Sequence, residues 1–94
     1  MALYLISYDI NEKDSWEYSA LYDKLKELGA VRILYSEWAI SSGVGQAHSI
    51  YWVIAPLTQK KDRLLVQELT SDAQWDKVMI SDEAFSDLLK NARG

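Results

Sequence analysis

The stretch QAHSIYWVIAPLT, residues 46–58, decides the architecture of this chain. Its β-branched and aromatic content suits a strand. Its spacing suits a helix, because Ala47, Ile50, Val53, Ile54 and Leu57 recur at intervals of three and four and fall on one face. Pro56 lies near the end of the segment, where it disturbs only a last turn. The helical reading is favoured, since two parallel strands need a crossover between them. A strand over the same residues is the alternative.

SSGVG at 41–45 is the clearest loop in the chain. Before it, VRILYSEWAI at 31–40 is strand-like, with Val31, Ile33 and Tyr35 alternating with Arg32 and Leu34. Ser36 and Glu37 interrupt the apolar character, which predicts a tight or bulged hairpin near Tyr35–Ser36. One long bent strand is the other possibility. Downstream, RLLVQEL at 63–69 is a strand. ALYLISYD at 2–9 is apolar on both faces, as expected of a central strand. The helix after it carries Tyr18, Leu21, Tyr22, Leu25 and Leu28 on one face, and Gly29 supplies the left-handed residue that closes it. Asp14 and Glu17 have capping-box spacing ahead of that helix. In the tail, Phe85, Leu88 and Leu89 follow Ser81 at helical spacing, predicting a terminal helix packed on the domain. The expected order is therefore an α+β, ferredoxin-like βαββαβ sandwich with a C-terminal helix.

The 94 residues allow one domain, here taken as 1–94, with a thin core. With one proline and 49% apolar residues, the composition is that of a globular domain. The absence of cysteine excludes disulfides, thiol catalysis and thiolate metal sites. A secreted domain of this size usually carries bridges, so a cytoplasmic location is expected. MALYLISYDI lacks the basic start and cleavage site of a signal peptide, and no apolar run is long enough to span a bilayer, so no membrane partner is expected. Fourteen acidic against ten basic residues give a net charge of −4, which counts against a large nucleic-acid surface without excluding a local one near Lys60, Lys61 and Arg63.

Three motifs occur in a telling order: Ser7-Tyr8-Asp9-Ile10 ending the first strand, Arg32-Ile33-Leu34-Tyr35-Ser36-Glu37-Trp38 across the second, and Asp62-Arg63-Leu64-Leu65-Val66 opening the last. Together they cover about residues 2–69, and over that span the chain resembles the CRISPR-associated Cas-two family. The resemblance implies a ferredoxin-like fold and a symmetric homodimer. It also implies that Asp9 from each subunit approaches its counterpart and holds a divalent metal, Mg2+ or Mn2+. Members of the family are described as metal-dependent nucleases or as non-catalytic DNA-bridging subunits, and the related VapD toxins as ribonucleases. The acidic balance and the tail after residue 70 depart from the CRISPR members and look more like stand-alone relatives labelled SinR-like.

Asp9 is thus the candidate catalytic and metal-binding residue. One carboxylate is too few for Mg2+, which requires several oxygen ligands, but two across a dimer axis with water and phosphate suffice. The plain alternative is that Asp9 accepts hydrogen bonds in the loop it begins. Ser7 shares its strand parity. Ser36 and Arg32 are placed in support, and Tyr8 and Tyr35 are candidates for stacking a base, although core or dimer contacts suit both. Glu12 and Asp14 are possible further acidic ligands. His48 has no partner at ligand spacing and is taken as a surface residue. Three functions follow: a metal-dependent nuclease acting on RNA or DNA, a non-catalytic dimeric binding module with the same fold, and a VapD-like ribonuclease toxin.

Overall fold

The computed structural model describes residues 1–10 and 18–94. Four strands form one antiparallel sheet: β1 (Ala2–Asp9), β2 (Val31–Leu34), β3 (Glu37–Ser42) and β4 (Arg63–Leu69), in the spatial order β2-β3-β1-β4. Helix α1 (Ser19–Glu27) connects β1 to β2, α2 (Ala47–Ile54) connects β3 to β4, and α3 (Asp82–Leu89) follows the sheet. This α+β architecture is compatible with a ferredoxin-like fold. The two-sided hydrophobicity of β1 has its expected consequence, since β1 pairs with both β3 and β4. The capping-box pair Asp14 and Glu17 lies outside the described residues, as does Glu12.

The deciding stretch is helical. Ile50 and Ile54 are buried, and Ile54 has no exposure at all. The helix gives way to a 3₁₀ turn, Ala55–Leu57, in which Pro56 occupies an early position that needs no N–H. Its start is held from the sheet: the Tyr4 hydroxyl donates to the Gly43 carbonyl at 2.7 Å and accepts the Gln46 amide at 2.9 Å. Gly45, at φ 76°, supplies the left-handed residue of the turn before the helix. Helix α1 ends in a Schellman motif, with the Gly29 and Ala30 amides donating to the carbonyls of Lys26 and Leu25 and Gly29 at φ 84°. Tyr18, Leu21 and Leu25 are buried as their spacing requires, whereas Leu28, at the helix terminus, is exposed.

Strand alternation separates the two faces of the sheet. Ala2, Tyr4, Ile6 and Tyr8 point toward α1 and α2, where they pack with Leu21, Leu25, Trp38, Ile40 and Ile54. Leu3 and Leu5 point the other way, with Ile33 and Ala39, and meet Phe85 and the segment around it. Residues 75–92 lie across one end of this far face. Trp75 stacks on Phe85 at 4.6 Å between ring centres and donates its indole N–H to Asp82. The Ser81 hydroxyl caps α3 by accepting the Ala84 amide at 3.1 Å. Where β2 slips register between Arg32 and Leu34, the Ile33 carbonyl accepts the Met79 amide at 2.8 Å. At the opposite side the tail is tied down by Asn91 on Ser41 and by Arg93 on Glu68. Among the described residues no helix is long and apolar enough to cross a membrane.

Candidate functional site

Among the described residues, the far face is covered at one end only. Along β1, Leu3 and Leu5 give way to Ser7 and Asp9, and the covering segment stops with them. In register with these polar positions stand Glu37 opposite Ser7 on β3, and Leu65 and Arg63 opposite Ser7 and Asp9 on β4. Residues directly opposite in an antiparallel pair project to the same side. Ser7, Asp9, Glu37, Leu65 and Arg63 therefore share the uncovered half, and with Ser36 and the backbone at Tyr8 they line a shallow recess of about 320 Å³.

The sequence candidates divide between this recess and the layer behind it. Ser7, Asp9 and Ser36 line the recess directly. Tyr8 points to the helix side and is 4% exposed, so its ring belongs to the core and is unable to stack a base from this position. Its hydroxyl accepts the Trp38 indole N–H at 2.9 Å and faces the Tyr35 carbonyl at 3.5 Å. Arg32 pairs with Trp38 and lies on the helix side of β2, away from the recess. It reaches the turn through the Tyr35 carbonyl, which accepts its Nε–H at 2.9 Å and a second N–H from Nη2. The Tyr35 ring, at 81% exposure, stands at the tip of the hairpin. His48 is exposed in the first turn of α2, and Lys60 and Lys61 occupy an exposed turn, as their sequence context suggested.

Two recess residues were not singled out as site residues from the sequence, Glu37 and Arg63. The signal for Glu37 was its interruption of an otherwise apolar strand. Placing it beside Ser7 requires the β1–β3 register, which single-strand patterning does not supply. Arg63 approaches Asp9, with 3.6 Å between Nη1 and Oδ2, and both side chains are largely exposed. A pair so exposed contributes about 0–1 kcal/mol, so the ion pair is readily opened by a ligand.

The donor set is all oxygen: two carboxylates and two hydroxyls. This suits a hard divalent cation such as Mg2+ or Mn2+ in kind. It falls short in number, because among the described residues no group of three or more histidine, cysteine, aspartate or glutamate side chains converges. Among the described residues, two carboxylates against one guanidinium leave the recess with a formal charge of −1. No family model matches the sequence, and no curated protein matches it.

Proposed function

We propose that the chain is a Cas-two-like nuclease domain of ferredoxin-like fold, acting on RNA or DNA with Mg2+ or Mn2+, and that Asp9 and Glu37 are the carboxylates of its reaction site. The observation that carries this reading is the junction of Ser7, Asp9, Ser36 and Glu37 in one recess on the uncovered half of the sheet. The charge of that recess supports it as well. A phosphodiester is repelled by a site of net charge −1 unless a cation enters with it, and a divalent ion reverses the sign. When bound, the metal neutralises charge on the phosphate and lowers the pKa of a coordinated water. The carboxylates of Asp9 and Glu37 hold the cation, the Ser7 and Ser36 hydroxyls orient water or a phosphate oxygen, and Arg63 is released from Asp9 to pair with a phosphate. The described residues of one chain supply too few ligands for the cation, and in this reading the active form is a homodimer in which the two recesses face one another. The uncovered apolar Leu65, 53% exposed, lies in the surface to be buried. A cysteine-free nuclease of this kind is placed in the cytoplasm.

The test is cleavage of single- and double-stranded RNA and DNA with Mg2+, Mn2+ and EDTA, using wild type, Asp9→Ala and Glu37→Ala. Metal-dependent cutting by wild type and its loss, by at least a hundredfold, in both variants is expected for removal of a metal ligand. The second reading, a non-catalytic dimeric binding module, is favoured by the Asp9–Arg63 pair, in which the carboxylate already has a cation partner. Wild-type protein that binds nucleic acid without cutting it establishes that reading instead. A VapD-like toxin is distinguished by cleavage confined to RNA.

A further inference from the structure

The rim of the recess is set by a carbonyl that faces away from it. The Tyr35 C=O accepts two N–H groups from Arg32 and lies 3.5 Å from the Tyr8 hydroxyl. The Arg32 guanidinium is itself confined on the helix side: its carbon lies 5.2 Å from the centre of the Tyr22 ring, 5.5 Å from Tyr35 and 5.7 Å from Trp38. Trp38 in turn donates to the Tyr8 hydroxyl at 2.9 Å. The following residue completes the loop, since the Ser36 carbonyl accepts the Tyr8 amide at 3.0 Å. One side chain thereby joins α1, through Tyr22, to the turn that carries Ser36 and Glu37 toward the end of β1.

We infer that Arg32 is a positioning residue, whose forked hydrogen bonds to the Tyr35 carbonyl hold the β2–β3 turn against the end of β1 and so set Glu37 relative to Asp9. Two features make the role specific to arginine. The planar fork places two donors on one acceptor, and the same plane lies against aromatic rings, where a lysine ammonium offers a single compact charge. A two-residue turn at Tyr35–Ser36 has few internal hydrogen bonds of its own, so an external donor pair has a large share in fixing it. The consequence for metal binding rests on the function proposed above; the positional consequence does not.

The test is amide hydrogen exchange at Tyr8, whose N–H reports closure of the turn on β1. In Arg32→Ala, Tyr8 exchange accelerates roughly tenfold, the effect of losing about one charge-assisted hydrogen bond, while Leu3 and Leu5 in the same strand change little. Arg32→Lys recovers only part of the protection. Unchanged Tyr8 exchange in Arg32→Ala, an acceleration shared equally by Leu3 and Leu5, or full recovery in Arg32→Lys overturns the assignment. Mn2+ affinity measured on the same proteins separates the two claims. Wild type that binds no Mn2+ removes the metal reading of the recess, and Tyr8 exchange still decides the role of Arg32. If wild type binds Mn2+, the ion binds several-fold more weakly to Arg32→Ala, whereas equal affinity shows that the fork does not set Glu37 relative to Asp9.

Discussion

The two halves of the far face of the sheet are built from the same strands and have opposite fates. At the end that holds Leu3, Ala39, Ile33 and Leu69, the surface is apolar, and Phe85, Leu88 and Trp75 lie over it. At the end that holds Ser7, Asp9, Glu37 and Arg63, nothing from the described chain covers it, and a recess remains. The helix side shows no such division: its apolar residues run the length of β1 from Ala2 to Tyr8. A face that is apolar for two positions and polar for the next two is not a weakly made core face. The covering segment takes the part whose burial stabilises the fold and leaves the part whose burial would strand carboxylates.

The largest consequence concerns the covered half. Phe85 is 6% exposed and stacked on Trp75. Phe85→Ala is expected to cost about 3–5 kcal/mol, the range for truncating a buried aromatic side chain, measured by urea unfolding. A cost under about 1 kcal/mol would show that the tail is only loosely applied and would erase the distinction between the halves. On the helix side, Tyr8→Phe leaves the Trp38 indole N–H without its acceptor in a buried setting, with an expected loss of about 1–3 kcal/mol. Its near-neutrality would mean that the layer behind the recess is not held by that hydrogen bond.

In the uncovered half, stability effects are expected to be small. Leu65→Ser changes an exposed side chain and is expected to shift monomer stability within about 0.5 kcal/mol, while weakening dimerisation in sedimentation experiments if that half is buried between two copies. A smaller effect still, and one dependent on pH, belongs to the anchor of the tail on β4. The hydrogen bond from Arg93, with its charge, holds the Glu68 carboxyl below its ordinary value of 4.5, against a smaller opposing effect of desolvation. The folded state therefore binds this proton more weakly than the unfolded chain. The contribution is fully present above pH 4.5 and is lost as pH falls through the lowered folded value. The difference in melting temperature between wild type and Glu68→Gln is expected to shrink from pH 6 toward pH 3, and to shrink also with added salt. A difference independent of pH would show that Glu68 acts through packing alone.

Much of the fold was legible because local signals agreed with one another. The spacing of Ile50 and Ile54 outweighed the β-propensity of Tyr51 and Trp52, but Val53, expected on the same inward face, is instead exposed with those two aromatic residues. Gly29 marked the end of α1, and Ser81 marked the start of α3. What the sequence concealed was relational. Arg32 lies close in sequence to Ser36 but belongs to the opposite face of the sheet, because alternation along β2 and the slip at Ile33 separate them. Glu37 belongs beside Ser7 only once the strands are paired. The tail was foreseen as a packed helix, yet its choice of the far face, and of one half of it, depends on where apolar residues from three strands coincide. Of the residues named from the motif, Ser7, Asp9 and Ser36 line one recess, while the Tyr8 ring lies in the core behind it.

The proposal that the uncovered half receives a divalent cation at Asp9 is decided by thermal unfolding of wild type and Asp9→Ala with and without Mg2+. A ligand that binds only the folded state raises its stability with concentration. Millimolar Mg2+ is expected to raise the melting temperature of wild type by a few degrees, whereas Asp9→Ala, freed of carboxylate repulsion across the dimer, is expected to be at least as stable as wild type without metal and not to respond to it. Equal melting curves for wild type with and without Mg2+, together with an Asp9→Ala variant that is less stable by about 1 kcal/mol, would contradict it and leave Asp9 as a structural hydrogen-bond acceptor.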